Sequence, residues 1–311
     1  MSERIPAAGR ARAWLQLLRV PNLLTVPGDP VAGFLLAAGK QCESGMIGRL
    51  AAAAAASLCF YAGGLVLNDV LDLEADRRER PFRPLPSGRA GLRGAWAAAA
   101  ILLLAGLGLS AALGPRARET GLALAAAIVL YDAGGKRAPF FGSALMGVCR
   151  ALSLLLGAAA YPGLAGWPPL VAVGAVALGL YILSVTNLAR RETEPGPVGR
   201  AKSWPVGALT LGLMVFGAVV LRLGGGGAGW FVAPWFLAGS VAFMTSIRLA
   251  GPPERARRIP AAVGALLRAL LPLQAALAWG AGAGPAGWIA GIVLLAVWPA
   301  SRILGRRFYM S

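Results

Sequence analysis

Ten apolar stretches run through this chain, at residues 22–39, 46–67, 93–113, 117–132, 139–161, 167–188, 204–223, 228–249, 260–281 and 285–304. A helix needs about 20 mostly apolar residues to cross a bilayer, and inside lipid its backbone groups must be satisfied within the segment. The pattern predicts an all-α, polytopic transmembrane helix bundle of nine to ten spans. A soluble fold is excluded by charge: only 14% of residues are charged, against about 25% in an average soluble domain. There is no His, so an imidazole base, a His-ligated metal and a Ser-His-Asp triad are all excluded. Cys42, Cys59 and Cys149 have neither disulfide-framework nor zinc spacing.

The net charge of +17 is sorted by side. Across alternating loops, every basic residue except Lys40, Arg49, Arg116, Arg118 and Arg222 falls on one side. The positive-inside rule makes that side cytoplasmic and places both termini there. Arg4, Arg10, Arg12 and Arg19 spread along the N-terminus before any apolar run, unlike a signal peptide. Because orientation accounts for the charge, it implies no nucleic-acid partner. Ten of the thirteen carboxylates share the same side, all but Asp29, Glu43 and Glu119. Insertion barely constrains Asp and Glu, so their clustering points to function.

The second stretch ends Asn68-Asp69-Val70-Leu71-Asp72-Leu73-Glu74-Ala75-Asp76. At about 100° per residue, Asp72, Asp76, Asp69 and Glu79 lie within about 100° of Asn68, whereas Glu74 points away. Like charges at four-residue steps repel, so this face needs a counter-charge. That charge is either the neighbouring Arg77, Arg78 and Arg80 or a hard cation such as Mg²⁺, which is commonly shared between carboxylates and phosphates. The segment after it carries Arg80, Pro81, Phe82, Arg83, Pro84, Leu85, Pro86, Ser87, Gly88 and Arg89. Its prolines end the helix, and its guanidiniums suit a diphosphate.

NDVLDLEAD followed by RPFRPLPSG resembles the first aspartate-rich motif of the UbiA superfamily of intramembrane prenyltransferases, N-D-x-x-D-x-x-x-D with R-P-[L/I]-x-S-G behind it. Leu18-Arg19-Val20-Pro21-Asn22 is similar to the family's Arg-x-Pro lead into its first helix. The resemblance implies one UbiA-like transmembrane domain over residues 1–311, built around a central membrane-embedded cavity. It implies Mg²⁺-dependent transfer of an isoprenyl group from an isoprenyl diphosphate to a lipophilic or aromatic acceptor. Asn68, Asp72 and Asp76 would hold the metal, with Asp69 in support.

The family's second motif, commonly N-x-x-D-x-x-x-D, is altered. Aligned on Asn187, Arg190 and Glu194 stand where the aspartates are expected, and Arg191 shares their face. Either these arginines contact the diphosphate directly, standing in for one metal, or the second site has decayed. Tyr131-Asp132-Ala133-Gly134-Gly135-Lys136-Arg137 is similar to the family's Tyr-x-x-x-[K/R]-[K/R] segment. Lys136 and Arg137 either reach a phosphate or form an ordinary positive-inside loop. Arg150 lies 13 residues past Arg137, about 20 Å along a helix, where an arginine is costly in lipid. Asp29 is buried by the same logic. The two belong either to the cavity wall or to a structural interhelical pair.

The resulting expectation is an enzyme in the cell inner (plasma) membrane, with its active site cytoplasmic. Asn68, Asp69, Asp72 and Asp76 would be catalytic. Arg83, Lys136, Arg137, Arg190 and Arg191 would hold the diphosphate. Asp29, Tyr131, Arg150, Asn187 and Glu194 would be polar groups of the cavity. A UbiA-like fold that binds or moves a lipid or metabolite without transferring it is the alternative. A secondary transporter fits less well, because such proteins tend to place ionisable residues at mid-membrane within internal repeats.

Overall fold

The computed structural model describes residues 7–192, 198–224, 228–250, 258–282 and 284–308. Glu194, predicted to lie on the second motif's face, is outside them. The described residues form helices and connecting turns, with no strand. The helices are α1 (Ala7–Leu17), α2 (Val20–Leu23), α3 (Gly28–Ala38), α4 (Ile47–Leu71), α5 (Leu73–Glu79), α6 (Leu92–Ala112) and α7 (Pro115–Asp132). They continue with α8 (Pro139–Ala159), α9 (Pro169–Arg190), α10 (Trp204–Arg222), α11 (Val232–Leu249), α12 (Ile259–Arg268), α13 (Leu270–Gly280) and α14 (Gly284–Phe308).

Each of the ten apolar stretches is helical, and eight of the resulting segments are long and apolar enough to cross a membrane. These eight fit a multi-pass membrane protein. The first stretch is divided into α2 and α3. Pro21, Pro27 and Pro30 withhold three backbone donors there. The 11 residues of α3 reach only about 16 Å, half the hydrocarbon thickness. The fourth stretch, α7, carries Arg116, Arg118, Glu119 and Asp132 within its 18 residues, which lowers its apolar character.

The short helices sit inside. α3 packs against α4, α8, α9, α13 and α14, and α13 is buried from Leu270 to Ala278. Glycine permits the approach. A Cβ on Gly157 of α8 would lie 1.9 Å from the carbonyl oxygen of Pro30, and one on Gly33 would lie 1.9 Å from that of Leu154. Close backbone contact through small residues is how helices associate where the solvent is itself apolar. Outward-facing Ile101, Leu104, Leu211 and Ile289 are exposed, as a lipid-facing surface requires.

Two of the basic residues outside the main group, Arg49 and Arg116, bind backbone carbonyls. Arg49 donates to the carbonyls of Ala160 (2.8 Å) and Leu113 (2.5 Å), the residues that cap α8 and α6. Arg116 donates to the carbonyls of Leu164 and Ala165. Arg49 thus satisfies carbonyls left open where helices end, whereas Arg116 ties down the loop between α8 and α9.

Candidate active site

The end of the bundle that carries most of the charge gathers α4, α5, α7, α9 and the segment before α2. The α4–α5 junction bends at Asp72 (φ −87°, ψ 1°), but its hydrogen bonding carries through, from Asp72 N–H to Asn68 O and from Asp76 N–H to Asp72 O. The helical phase expected from the sequence is therefore retained, and it separates the carboxylates into two sets.

Asp69 and Asp76 face one way. Arg19 Nη2 donates to Asp69 Oδ1 at 3.0 Å, and Arg83 Nη1 donates to Asp76 Oδ2 at 2.7 Å while standing 3.9 Å from Asp69 Oδ1. Both carboxylates are buried. Beyond them opens a cleft of about 590 Å³, lined by Arg19, Asp69, Arg83 and Arg89 on one side and Val263 and Leu267 on the other. Arg19 holds φ 46°, the only positive-φ residue besides glycine among those described. For an L-residue that conformation costs about 1–2 kcal/mol.

Asn68 and Asp72 face the other way, toward α7. Asn68 Nδ2 donates to Asp132 Oδ1 at 2.8 Å, and Lys136 Nζ stands 2.7 Å from Asp72 Oδ1 and 4.0 Å from Asp132 Oδ1. Behind them lies a cavity of about 140 Å³ between α4, α7 and α8. Asn68, Tyr131, Asp132 and Arg19 line its upper part, and Ser57, Ser153 and Arg150 line it further along α4 and α8. Arg19 borders both spaces.

The other expected residues divide. Arg150 reaches the cavity wall and also pairs with Asp29, Nε to Oδ2 at 3.0 Å, while its Nη2 donates to Thr25 O. Gln274 of α13 completes that group by donating to Asp29 Oδ1 at 2.6 Å and to Thr25 O at 2.7 Å. Arg190 Nη1 donates to the carbonyls of Lys136 and Ala138, both at 3.1 Å, and so holds the α7–α8 turn. Asn187 is half-buried, whereas Arg137 and Arg191 are exposed, as are Glu79 and Glu192.

Asp132 and Gln274 were not among the candidates. Asp132 had a signal in the sequence, a carboxylate at a helix C-terminus where the macrodipole disfavours it. Gln274 had a weaker one, a lone amide in an otherwise apolar run.

The donors suit a hard cation. They are oxygens, Asp72 is 31% exposed, and the Lys136 ammonium already places positive charge beside Asp72 and Asp132. Among the described residues no three carboxylates or thiols converge as a metal cage. Mg²⁺ is commonly held by one or two carboxylates together with phosphate oxygens and water.

The sequence matches the UbiA prenyltransferase family over residues 30–258, which includes both charged segments and every residue lining the cavity except Arg19 and Val26. The chain belongs to that family. A digeranylgeranylglyceryl phosphate synthase from Saccharolobus solfataricus is 32% identical over 150 residues, covering 48% of this chain and 52% of that protein. The chain thus spans about half the length of this relative. Among solved structures, the apo UbiA homologue from Aeropyrum pernix K1 superposes with a TM-score of 0.65 at 18% identity, covering 82% of this chain and 96% of that one. A UbiA homologue from Archaeoglobus fulgidus bound to DMAPP and Mg²⁺ gives 0.59 at 15% identity, covering 84% and 98%. These likenesses show the UbiA fold.

Proposed function

We propose that this UbiA-family protein is a Mg²⁺-dependent prenyltransferase. It would take an isoprenyl diphosphate as donor and a lipid bearing a glyceryl phosphate group as acceptor, with its charged end cytoplasmic. The reading rests on one observation above others: Asn68 and Asp132, which line a cavity walled mostly by apolar residues, meet Asp72 and Lys136. The donor follows from carboxylates beside cationic side chains, and the A. fulgidus homologue bound to DMAPP and Mg²⁺ supports it. The acceptor class follows from the names of the relatives.

Bound Mg²⁺ would supply charge stabilisation to the departing diphosphate. Asp72 and Asn68 would hold it, with Asp69 and Asp76 behind. Lys136 and Arg83 would neutralise phosphate oxygens, and Arg190 keeps Lys136 in place through two backbone carbonyls. The C–O bond of the donor breaks with its electron pair leaving on diphosphate. The acceptor oxygen bonds to the allylic carbon, and its proton passes to the departing diphosphate. The apolar walls from Phe60, Leu124, Ile128 and Met146 would keep water from the cation.

The test is a transfer assay in reconstituted vesicles with a glycerophosphate prenyl ether, a 4-hydroxybenzoate and a fatty alcohol offered separately. Mass-shifted product from the glycerophosphate ether is expected. Product from another acceptor alone would replace the acceptor class, and absence of product with every acceptor would favour the non-transferring alternative.

A further inference from the structure

Asp132 has no evident reason to be where it is. It is the last residue of α7, so its charge adds to the negative end of the helix dipole. Its side chain is 3% exposed, so it has lost most of its hydration. A second carboxylate, Asp72, lies on the far side of the same ammonium. Three unfavourable terms therefore coincide at one oxygen pair.

A cation placed there offsets all three. The cation present is Lys136, on a one-turn segment entered through Gly134 at φ 143°, a conformation open to glycine. One ammonium balances half of the charge on two carboxylates, whereas a divalent ion balances all of it. Among the described residues, the helix expected to supply the opposing carboxylates does not: Arg190 of α9 is turned onto the carbonyls of Lys136 and Ala138, and Glu192 is exposed.

We infer that Asp132 is the second carboxylate of the cation seat, opposite Asp72 and in place of those α9 lacks, with the Lys136 ammonium occupying the seat until a divalent ion and diphosphate displace it. This rests on the reading of the protein as one that binds a metal–diphosphate. The flexible four-carbon stem of Lys136 lets the displaced ammonium move onto the phosphate oxygens, so one side chain serves both states. Asn68 holds Asp132 in register through its amide hydrogen bond.

The test is Mn²⁺ binding to the full chain in detergent, read from loss of the free-ion EPR signal with and without inorganic pyrophosphate. Asp72→Asn and Asp132→Asn should each weaken Mn²⁺ binding at least about tenfold, the lower end of what losing even an outer-sphere partner costs. Lys136→Met should tighten Mn²⁺ binding without pyrophosphate and reduce the further tightening that pyrophosphate brings. It leaves the Asn68–Asp132 bond intact, so it tests the seat even if Asp132→Asn does not fold. Wild-type Mn²⁺ affinity in Asp132→Asn beside a loss in Asp72→Asn would overturn the inference and leave the proposed function standing. Unchanged Mn²⁺ affinity in Lys136→Met would overturn the placeholder role. A wild-type protein that binds no Mn²⁺ under either condition would instead remove the metal–diphosphate reading itself.

Discussion

Arg19 donates to Asp69 across 3.0 Å from a backbone held at φ 46°. A strained residue whose side chain reaches a buried carboxylate between two cavities is held there by more than local preference. The strain and the charge can be separated. Arg19→Ala and Arg19→Gly remove the same guanidinium and should lose activity equally. Glycine accepts the positive φ, so Arg19→Gly should be more stable than Arg19→Ala by about 1 kcal/mol, read from thermal midpoints in one detergent. Equal midpoints would mean that the backbone relaxes in both.

The Asp29–Arg150 pair lies deep in the bundle, with side chains 0% and 7% exposed. Removing one partner leaves a buried charge uncompensated, at a cost of roughly 3–5 kcal/mol. Arg150→Leu alone should therefore be severely destabilised. Arg150→Leu combined with Asp29→Asn should be less destabilised than the sum of the single changes, because the amide still accepts from Gln274. Additive effects would show that the two charges are not coupled.

Helix spacing yields a third prediction. Gly157→Ala puts a methyl 1.9 Å from the Pro30 carbonyl oxygen and should cost about 3 kcal/mol or more by prising α3 from α8. Gly108→Ala in α6 meets nothing within 4 Å and should be neutral or stabilising by up to about 1 kcal/mol. Thermal midpoints of the pair check both.

Arg190 is expected to act through the turn it holds. Arg190→Ala should weaken isoprenyl diphosphate binding by roughly tenfold, near the lower end for a lost hydrogen bond from a charged group, while leaving Mn²⁺ binding without diphosphate unchanged. Arg190→Asp, which restores the carboxylate that the family pattern expects, should also bind diphosphate less well. A gain of activity in Arg190→Asp would identify the second segment as a decayed metal site.

Much of this could be read from the sequence because helical order is local. The apolar stretches located the helices, and the 100° step put Asn68, Asp72, Asp69 and Asp76 on one face, which the structure divides into two sets. Partners across helices are set by tertiary packing, which periodicity does not encode. Phase therefore gave no sign that Asp69 and Asp76 would take Arg19 and Arg83 while Asp72 took Lys136. The opposing carboxylate was sought on α9 because the resemblance placed it there, and Asp132 was passed over as part of a basic loop. α3 read as a full span because apolar content hides the proline breaks that confine it to the interior.

The central claim is that Asp72, at the α4–α5 junction, holds a cation on which diphosphate binding depends. Equilibrium binding of radiolabelled DMAPP to the purified protein, with Mg²⁺ and with EDTA, for wild type and Asp72→Asn, tests it most directly. The account predicts binding by wild type with Mg²⁺, loss in EDTA, and loss in Asp72→Asn even with Mg²⁺. Binding indifferent both to Mg²⁺ and to Asp72 would contradict it.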